Sequence, residues 1–133
     1  MRFHVCIMTP DCIFLNKDVD ELILPTIIGS IGILENHAPL LTAIKIGPLL
    51  LRNQSNWISF ALIGGFALVQ KNTVTILVNE AVSALDIELR EVDARIVKAT
   101  DRLNQAMREK EKIEATFSFK RARARYQILQ LQK

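Results

Sequence analysis

The chain has 133 residues, which sets a prior of one domain or two small ones. Lys and Arg number 17 against 14 Asp and Glu, giving a net charge of +3, and the apolar set makes up 50%. Such a composition excludes a disordered tail, and a chain this long can bury about two thirds of its unfolded surface. Membrane-spanning helices are excluded as well. The longest uncharged stretch, residues 53–70, opens on Asn53-Gln54-Ser55-Asn56 and holds Gly64-Gly65, so its apolar part falls short of the ~20 residues required.

Phe3 to Met8 is too short an apolar run for a signal peptide, and Asp11, Asp18, Asp20 and Glu21 argue against a cleaved transit peptide. The expectation is a protein that works where it is made, or one already processed. Cys6 and Cys12 stand in no CxxC spacing, so reduced thiols are expected. With His4 and His37 they offer no second pair at ligand spacing, and a zinc site is rejected.

The charge divides unevenly at Val82. Before it stand 5 positives and 6 acids, a sum of −1; after it stand 12 and 8, a sum of +4. The last Pro is Pro48 and the last Gly is Gly65. The first segment reads as β. Arg2 to Met8 alternates, with Phe3, Val5 and Ile7 on one face. Cys12–Leu15, Val19–Thr26, Leu40–Ile46, Leu49–Arg52, Trp57–Ile63, Phe66–Gln70 and Thr73–Val78 follow as short strands. The turns expected between them are Asn16-Lys17-Asp18, Gly47-Pro48, Asn53-Gln54-Ser55-Asn56, Gly64-Gly65 and Lys71-Asn72. This pattern predicts a sandwich or barrel rather than βαβ units. Ser59 to Ile63 is apolar on both faces, as for a strand buried between two sheets or under a partner.

The second segment reads as α. Leu89, Val92, Ile96, Ala99, Leu103 and Ala106 repeat at helical spacing, and Ala115, Phe119, Ala122, Tyr126 and Leu129 form a second stripe. Asp86 is the expected N-cap, with Glu88 in the first turn. Between the stripes, Met107 to Lys112 is polar and contains no helix breaker. An antiparallel hairpin is the normal outcome. A continuous helix, on the order of 70 Å long, is equally permitted by these residues.

The densest segment runs from Gly29 to Ile44. Two glycines three apart, then Asn36-His37-Ala38-Pro39, predict a constrained loop rather than regular structure. His37 is either a satisfied turn residue or a group offered to a partner. A phosphate loop is excluded because no Gly-Lys-Ser/Thr is present. No catalytic constellation stands out either. Ser30, Ser55, Ser59, Ser83 and Ser118 lack elbow glycines, the histidines lack an acid partner in sequence, and Glu88 and Glu91 read as helix-face pairing residues. Lys120-Arg121-Ala122-Arg123-Ala124-Arg125 is the sharpest charge feature. Arg121 and Arg125 share a face while Arg123 points elsewhere. The cluster is a solvated helix face, a nucleic-acid contact or a docking patch for an acidic partner; alternation with alanine rather than aromatics weakens the second.

Four segments carry a resemblance: Gly29-Ser-Ile-Gly-Ile-Leu-Glu-Asn-His-Ala-Pro-Leu-Leu-Thr-Ala-Ile44, Ile63-Gly-Gly-Phe-Ala67, Leu77-Val-Asn-Glu-Ala81 and Arg121-Ala-Arg-Ala-Arg125. Through them the whole chain resembles the epsilon-subunit family of F-type ATP synthases, most closely its plastid branch. The resemblance implies a β-sandwich over residues 1–84, then an antiparallel two-helix hairpin over 85–133. It implies a non-catalytic rotor subunit that couples c-ring rotation through gamma to ATP synthesis, peripheral to the thylakoid membrane on its stromal side in the chloroplast. Gly29, Ser30, Gly32, Glu35, His37, Pro39 and Thr42 would face gamma and the c-ring. The helices would inhibit ATP hydrolysis, with Arg121, Arg123 and Arg125 meeting the alpha/beta catalytic subunits. No cofactor, metal or nucleic acid is implied. Some bacterial relatives hold ATP through an Ile/Leu-Asp-x-x-Arg-Ala motif and two arginines of the second helix. Here Arg121 and Arg125 match, but Leu85-Asp86-Ile87-Glu88-Leu89-Arg90-Glu91 lengthens the spacing by one. A helical displacement of about 100° would misplace one ligand. The reading without the resemblance is a free-standing basic helical module that binds nucleic acid or an acidic protein.

Overall fold

The computed structural model describes residues 2–84, 89–105 and 109–132. Eight strands come first: β1 (Phe3–Met8), β2 (Ile13–Val19), β3 (Glu21–Thr26), β4 (Gly29–Ile33), β5 (Leu40–Ile44), β6 (Gly47–Asn53), β7 (Asn56–Gln70) and β8 (Thr73–Ser83). Two helices follow, α1 (Leu89–Gln105) and α2 (Glu109–Gln132). Asp86, Glu88, Ala106, Met107 and the departing motif from Leu85 to Glu88 lie outside the described residues, as do the side chains of Leu89 and Val92.

Strand β7 organises the sandwich. Its first half pairs with β6, Gly47 opposite Leu62 through Asn53 opposite Asn56. Its second half pairs with β5, Ile44 opposite Gly65 through Leu40 opposite Val69. On its other side β8 runs antiparallel along both halves. Beyond β8 come β1, in parallel, and β2; beyond β5 and β6 come β3 and β4. Hydrogen bonding thus wraps around one apolar core. Val5, Ile7, Leu22, Leu24, Leu49, Leu51, Leu62 and Ile76 are fully buried there. The predicted face of β1, Phe3-Val5-Ile7, is the buried one.

Four expectations are corrected. Gly64-Gly65 does not separate two strands, because β7 runs through it. The pair is a bend: Gly64 has φ +55°, and a Cβ on Gly65 would stand 1.9 Å from the Leu77 carbonyl oxygen. Strands that change sheet turn at such points. Asn16-Lys17-Asp18 is no turn either; it belongs to β2, at the end of the strand order, whose polar side chains face outward. Gly47-Pro48 opens β6, where Pro48 occupies an early position that spares the ladder a donor. Gly29 to Ile33, read as loop, is strand β4, paired with β3 through Leu22 opposite Ile33 and Thr26 opposite Gly29.

The helices form the antiparallel pair expected. Arg102 of α1 lies 3.6 Å from Glu114 of α2, while Ala99 faces Ala122 across the cleft between the helices. Ala115 and Ala122 of the predicted stripe are buried. A second buried face was not visible in that stripe: Ala124 and Ile128 pack on Ala61, Ala84 and Ile46 of the sandwich. The partner that covers the outer side of Ser59 to Ile63 is therefore the chain's own α2.

Candidate functional site

The segment from Gly29 to Thr42 is not one cluster. Gly29 and Ser30 stand at the β3–β4 hairpin, where the Thr26 hydroxyl donates to the Gly29 carbonyl at 2.5 Å. Glu35 and His37 follow the other end of β4, about 17 Å away at 3.4 Å per residue. Gly32 lies on β4 between them, opposite Ile23. In the turn, the His37 amide donates to the Leu34 carbonyl at 3.2 Å, and Asn36 takes φ 60°. The Asn36 amide donates to Asn72 Oδ1 at 2.8 Å, and Asn72 Nδ2 donates to the Arg2 carbonyl at 3.0 Å. Asn72 therefore fastens this turn to the β7–β8 hairpin and the start of β1. His37 Nδ1 donates to the Ala38 carbonyl at 2.7 Å, which fixes the ring on its own backbone. Glu35 lines a cleft of about 400 Å³ with Asp20, Leu34, Asn36 and Arg52. Pro39 is exposed, and Thr42 is half-buried.

Thr42 shares the inward register of β5 with Leu40 and Ile44; its neighbour Leu41 faces out. That outward face is the feature sequence reasoning missed. Leu41 lies opposite Leu68, and Phe66 lies opposite Leu77. Leu41, Phe66 and Leu77 are 69%, 60% and 53% exposed. Four large apolar side chains on three adjacent strands make a contiguous patch, which marks an interaction surface. The period-2 alternation of residues 66–69 was the available signal, since both of its phases are apolar. A second exposed apolar element is the hairpin tip, with Ile27 and Ile28 at 69% and 80% exposure.

Among the three predicted arginines, two converge and one diverges. Arg121 Nη2 donates to Glu80 Oε2 at 2.5 Å, and Arg125 Nη2 donates to Glu80 Oε1. Arg123 turns to Phe119, its guanidinium carbon 5.5 Å from the ring centre. Arg121 also lies 5.8 Å from the centre of the Phe117 ring, while its Nε is buried with no hydrogen-bond partner among the described residues. An orphaned buried donor destabilises by about 1–3 kcal/mol, so this contact is imperfect. Arg95, Lys98 and Arg102 of α1 join Arg121 and Arg125 around an interhelical cleft of about 280 Å³. Glu80, on β8 opposite Ile63, was not anticipated; only the register of β8 on β7 brings it beneath α2.

The other histidine has the acid partner its sequence neighbourhood lacks. Strand pairing sets His4 opposite Asp18, with Nδ1 2.8 Å from Asp18 Oδ1 and Nε2 bonded to Asn16 Oδ1. The Asp18 hydrogen bond, then that of Asn16, holds the imidazole above its ordinary pKa, against a small desolvation penalty. Among the described residues, no group of three or more His, Cys, Asp or Glu is placed to hold a metal ion. No described helix is long and apolar enough to cross a membrane.

The β-sandwich domain family of the ATP synthase delta/epsilon chain matches residues 2–84. A chloroplastic ATP synthase epsilon chain from Oltmannsiellopsis viridis is 56% identical, covering 97% of this chain and 98% of its own. The chloroplastic epsilon chain of Chlorella vulgaris is 57% identical over 97% and 96%, and that of Nephroselmis olivacea 49% over the full length of both. In fold, the chain is similar to one in the Euglena gracilis mitochondrial ATP synthase OSCP/F1/c-ring structure. There the TM-score is 0.85 at 20% identity, covering 96% of this chain and 81% of that one.

Proposed function

The chain belongs to the ATP synthase epsilon-chain family, in its chloroplastic branch, and on that premise we propose that it is a non-catalytic subunit of the rotating central stalk. The sandwich sits between gamma and the c-ring on the stromal side of the thylakoid membrane and passes rotation to the alpha/beta catalytic subunits. The observation that carries this reading is the uncovered face of Leu41, Phe66, Leu68 and Leu77. Each such side chain, once fully covered, contributes roughly 1.5–3 kcal/mol, enough in combination to seat a permanent partner. We assign this face to gamma. The hairpin tip, with Ile27, Ile28, Gly29 and Ser30, is assigned to the c-ring, and Gly32, Glu35, His37, Pro39 and Thr42 to the margin between them. The helices restrain ATP hydrolysis when α2 leaves the sandwich and brings Arg121, Arg123 and Arg125 to acidic surface of the catalytic subunits.

A free-standing basic module fits less well, because two of its arginines turn inward onto Glu80. Phe66→Asp and Leu77→Asp, each in the full chain, should weaken capture by gamma more than about ten-fold. They should also uncouple ATP synthesis while leaving circular dichroism unchanged. Undiminished capture by gamma would overturn the reading.

A further inference from the structure

We propose that Glu80 is the latch that keeps α2 on the sandwich, its carboxylate standing in for the acidic partner that the arginines meet elsewhere. The inference rests on the helices being regulatory, and it names the residue that sets their balance. Glu80 spends each oxygen on a different guanidinium, Oε2 on Arg121 and Oε1 on Arg125. The two arginines are one helical turn apart, so α2 must lie along the sandwich, over β7 and β6 with Glu80 of β8 at its side, for both bonds to form together.

The apolar contact that α2 makes with the sandwich is built largely from small side chains. Among the described residues, its buried cluster is Ala124 and Ile128 against Ala61, Ala84 and Ile46, three of the five being alanines. An alanine methyl buries little area, so apolar contact holds α2 far less firmly than the core holds its strands. Charge then decides the outcome. Arg121 and Arg125 border the cleft that also gathers Arg95, Lys98 and Arg102. Arg102 has Glu114 at 3.6 Å, while the carboxylate beneath Arg121 and Arg125 is Glu80. Without it, two partly desolvated guanidiniums are left without their carboxylate against the sheet, and they regain hydration only if α2 leaves, so its loss favours departure beyond the lost attraction. Among the described residues the buried Nε of Arg121 has no partner, so the closed arrangement leaves a donor unsatisfied. A competing carboxylate surface can therefore draw the arginines away.

A latch and a ligand share the same arginines, and this separates two variants by sign. Glu80→Gln frees the helix and leaves the arginines intact. Arg121→Gln with Arg125→Gln frees the helix but removes what it would bind with. Hydrogen exchange of α2 amides in the full-length chain should rise about ten-fold or more in both, with sandwich amides unchanged. In the assembled ATP synthase, Glu80→Gln should lower ATP hydrolysis at least two-fold, and the double arginine variant should raise it. Glu80→Asp, which keeps the charge on a shorter arm, should fall between wild type and Glu80→Gln. Unchanged exchange in Glu80→Gln overturns the latch and leaves the regulatory reading standing. Raised exchange with hydrolysis unmoved in both variants overturns the regulatory reading, and the latch's role with it. Hydrolysis shifted in the same direction by both variants overturns the claim that Glu80 stands in for the partner.

Discussion

Strand β7 carries two interfaces built from opposite materials. Its inward face sets Phe60, Leu62, Ala67 and Val69 into a core shared with Ile7, Leu22, Leu51 and Ile76. Its outward face, over the first half, meets α2 through Ala61, with the Glu80 ion pairs beside it. The first interface is large, apolar and indifferent to salt. The second has a buried apolar cluster made mostly of alanines and adds two ion pairs to it. On the function proposed above, a rotor element must not yield whereas a brake must be able to leave its seat, and the two interfaces match those demands.

The sharpest way to break that contrast is at Gly65. A methyl there meets the Leu77 carbonyl oxygen at 1.9 Å, a backbone atom that cannot swing aside, so β7 and β8 must part where the strand bends. Gly65→Ala should therefore cost more than about 3 kcal/mol, read as a fall in the urea midpoint of the full chain. A loss under 1 kcal/mol would mean that the bend is not what aligns the two halves of β7.

A smaller effect is expected from removing the helices. We propose that residues 1–84 fold alone, because the apolar core lies wholly within them. A chain ended at Ala84 should keep a cooperative transition and lose about 5–10 °C in Tm, reflecting exposure of Ala61 and Ile46. A non-cooperative melt would show that α2 is part of the core after all.

The sequence made the inward face of the sandwich legible, and for a physical reason. Phe3-Val5-Ile7 alternates because one face of β1 is buried. What it hid depended on partners distant in the chain. Gly64-Gly65 looks like any Gly-Gly turn, and only the close approach of Leu77 tells a bend inside a strand from a stop. Strand β4 carries two glycines and ends the strand order, so neither β-propensity nor alternation declares it. Helix α2 is buried on two sides, toward α1 by Ala115 and Ala122 and toward the sandwich by Ala124 and Ile128. Its pattern therefore resolves into a single stripe only if one side is ignored. The arginines of the candidate site were plain from their spacing; Glu80 was not, being 41 residues from Arg121.

The smallest expected effect lies at the edge of the sandwich and sharpens the same comparison, for here a strand of the stable half is fastened by charge. His4 on β1 faces Asp18 and Asn16 on β2, and only a protonated imidazole can donate from both ring nitrogens. Its pKa is held above 6.5, chiefly by Asp18. Because the folded value is raised, the contribution to stability is full below the unfolded value of about 6.5. It is lost as pH rises through the folded one. Both side chains are well exposed, 42% and 64%, so the gain is at most about 1 kcal/mol and falls with added salt. His4→Gln should flatten the decline in urea midpoint between about pH 6 and about pH 9 and should speed hydrogen exchange in β2 at the lower pH. The direct measurement is the ring titration of His4 by NMR, with a midpoint above 6.5 expected. A midpoint at or below 6.5 would mean that the Asp18 contact does not hold the proton in solution, and β2 would then be secured by its ladder to β1 alone.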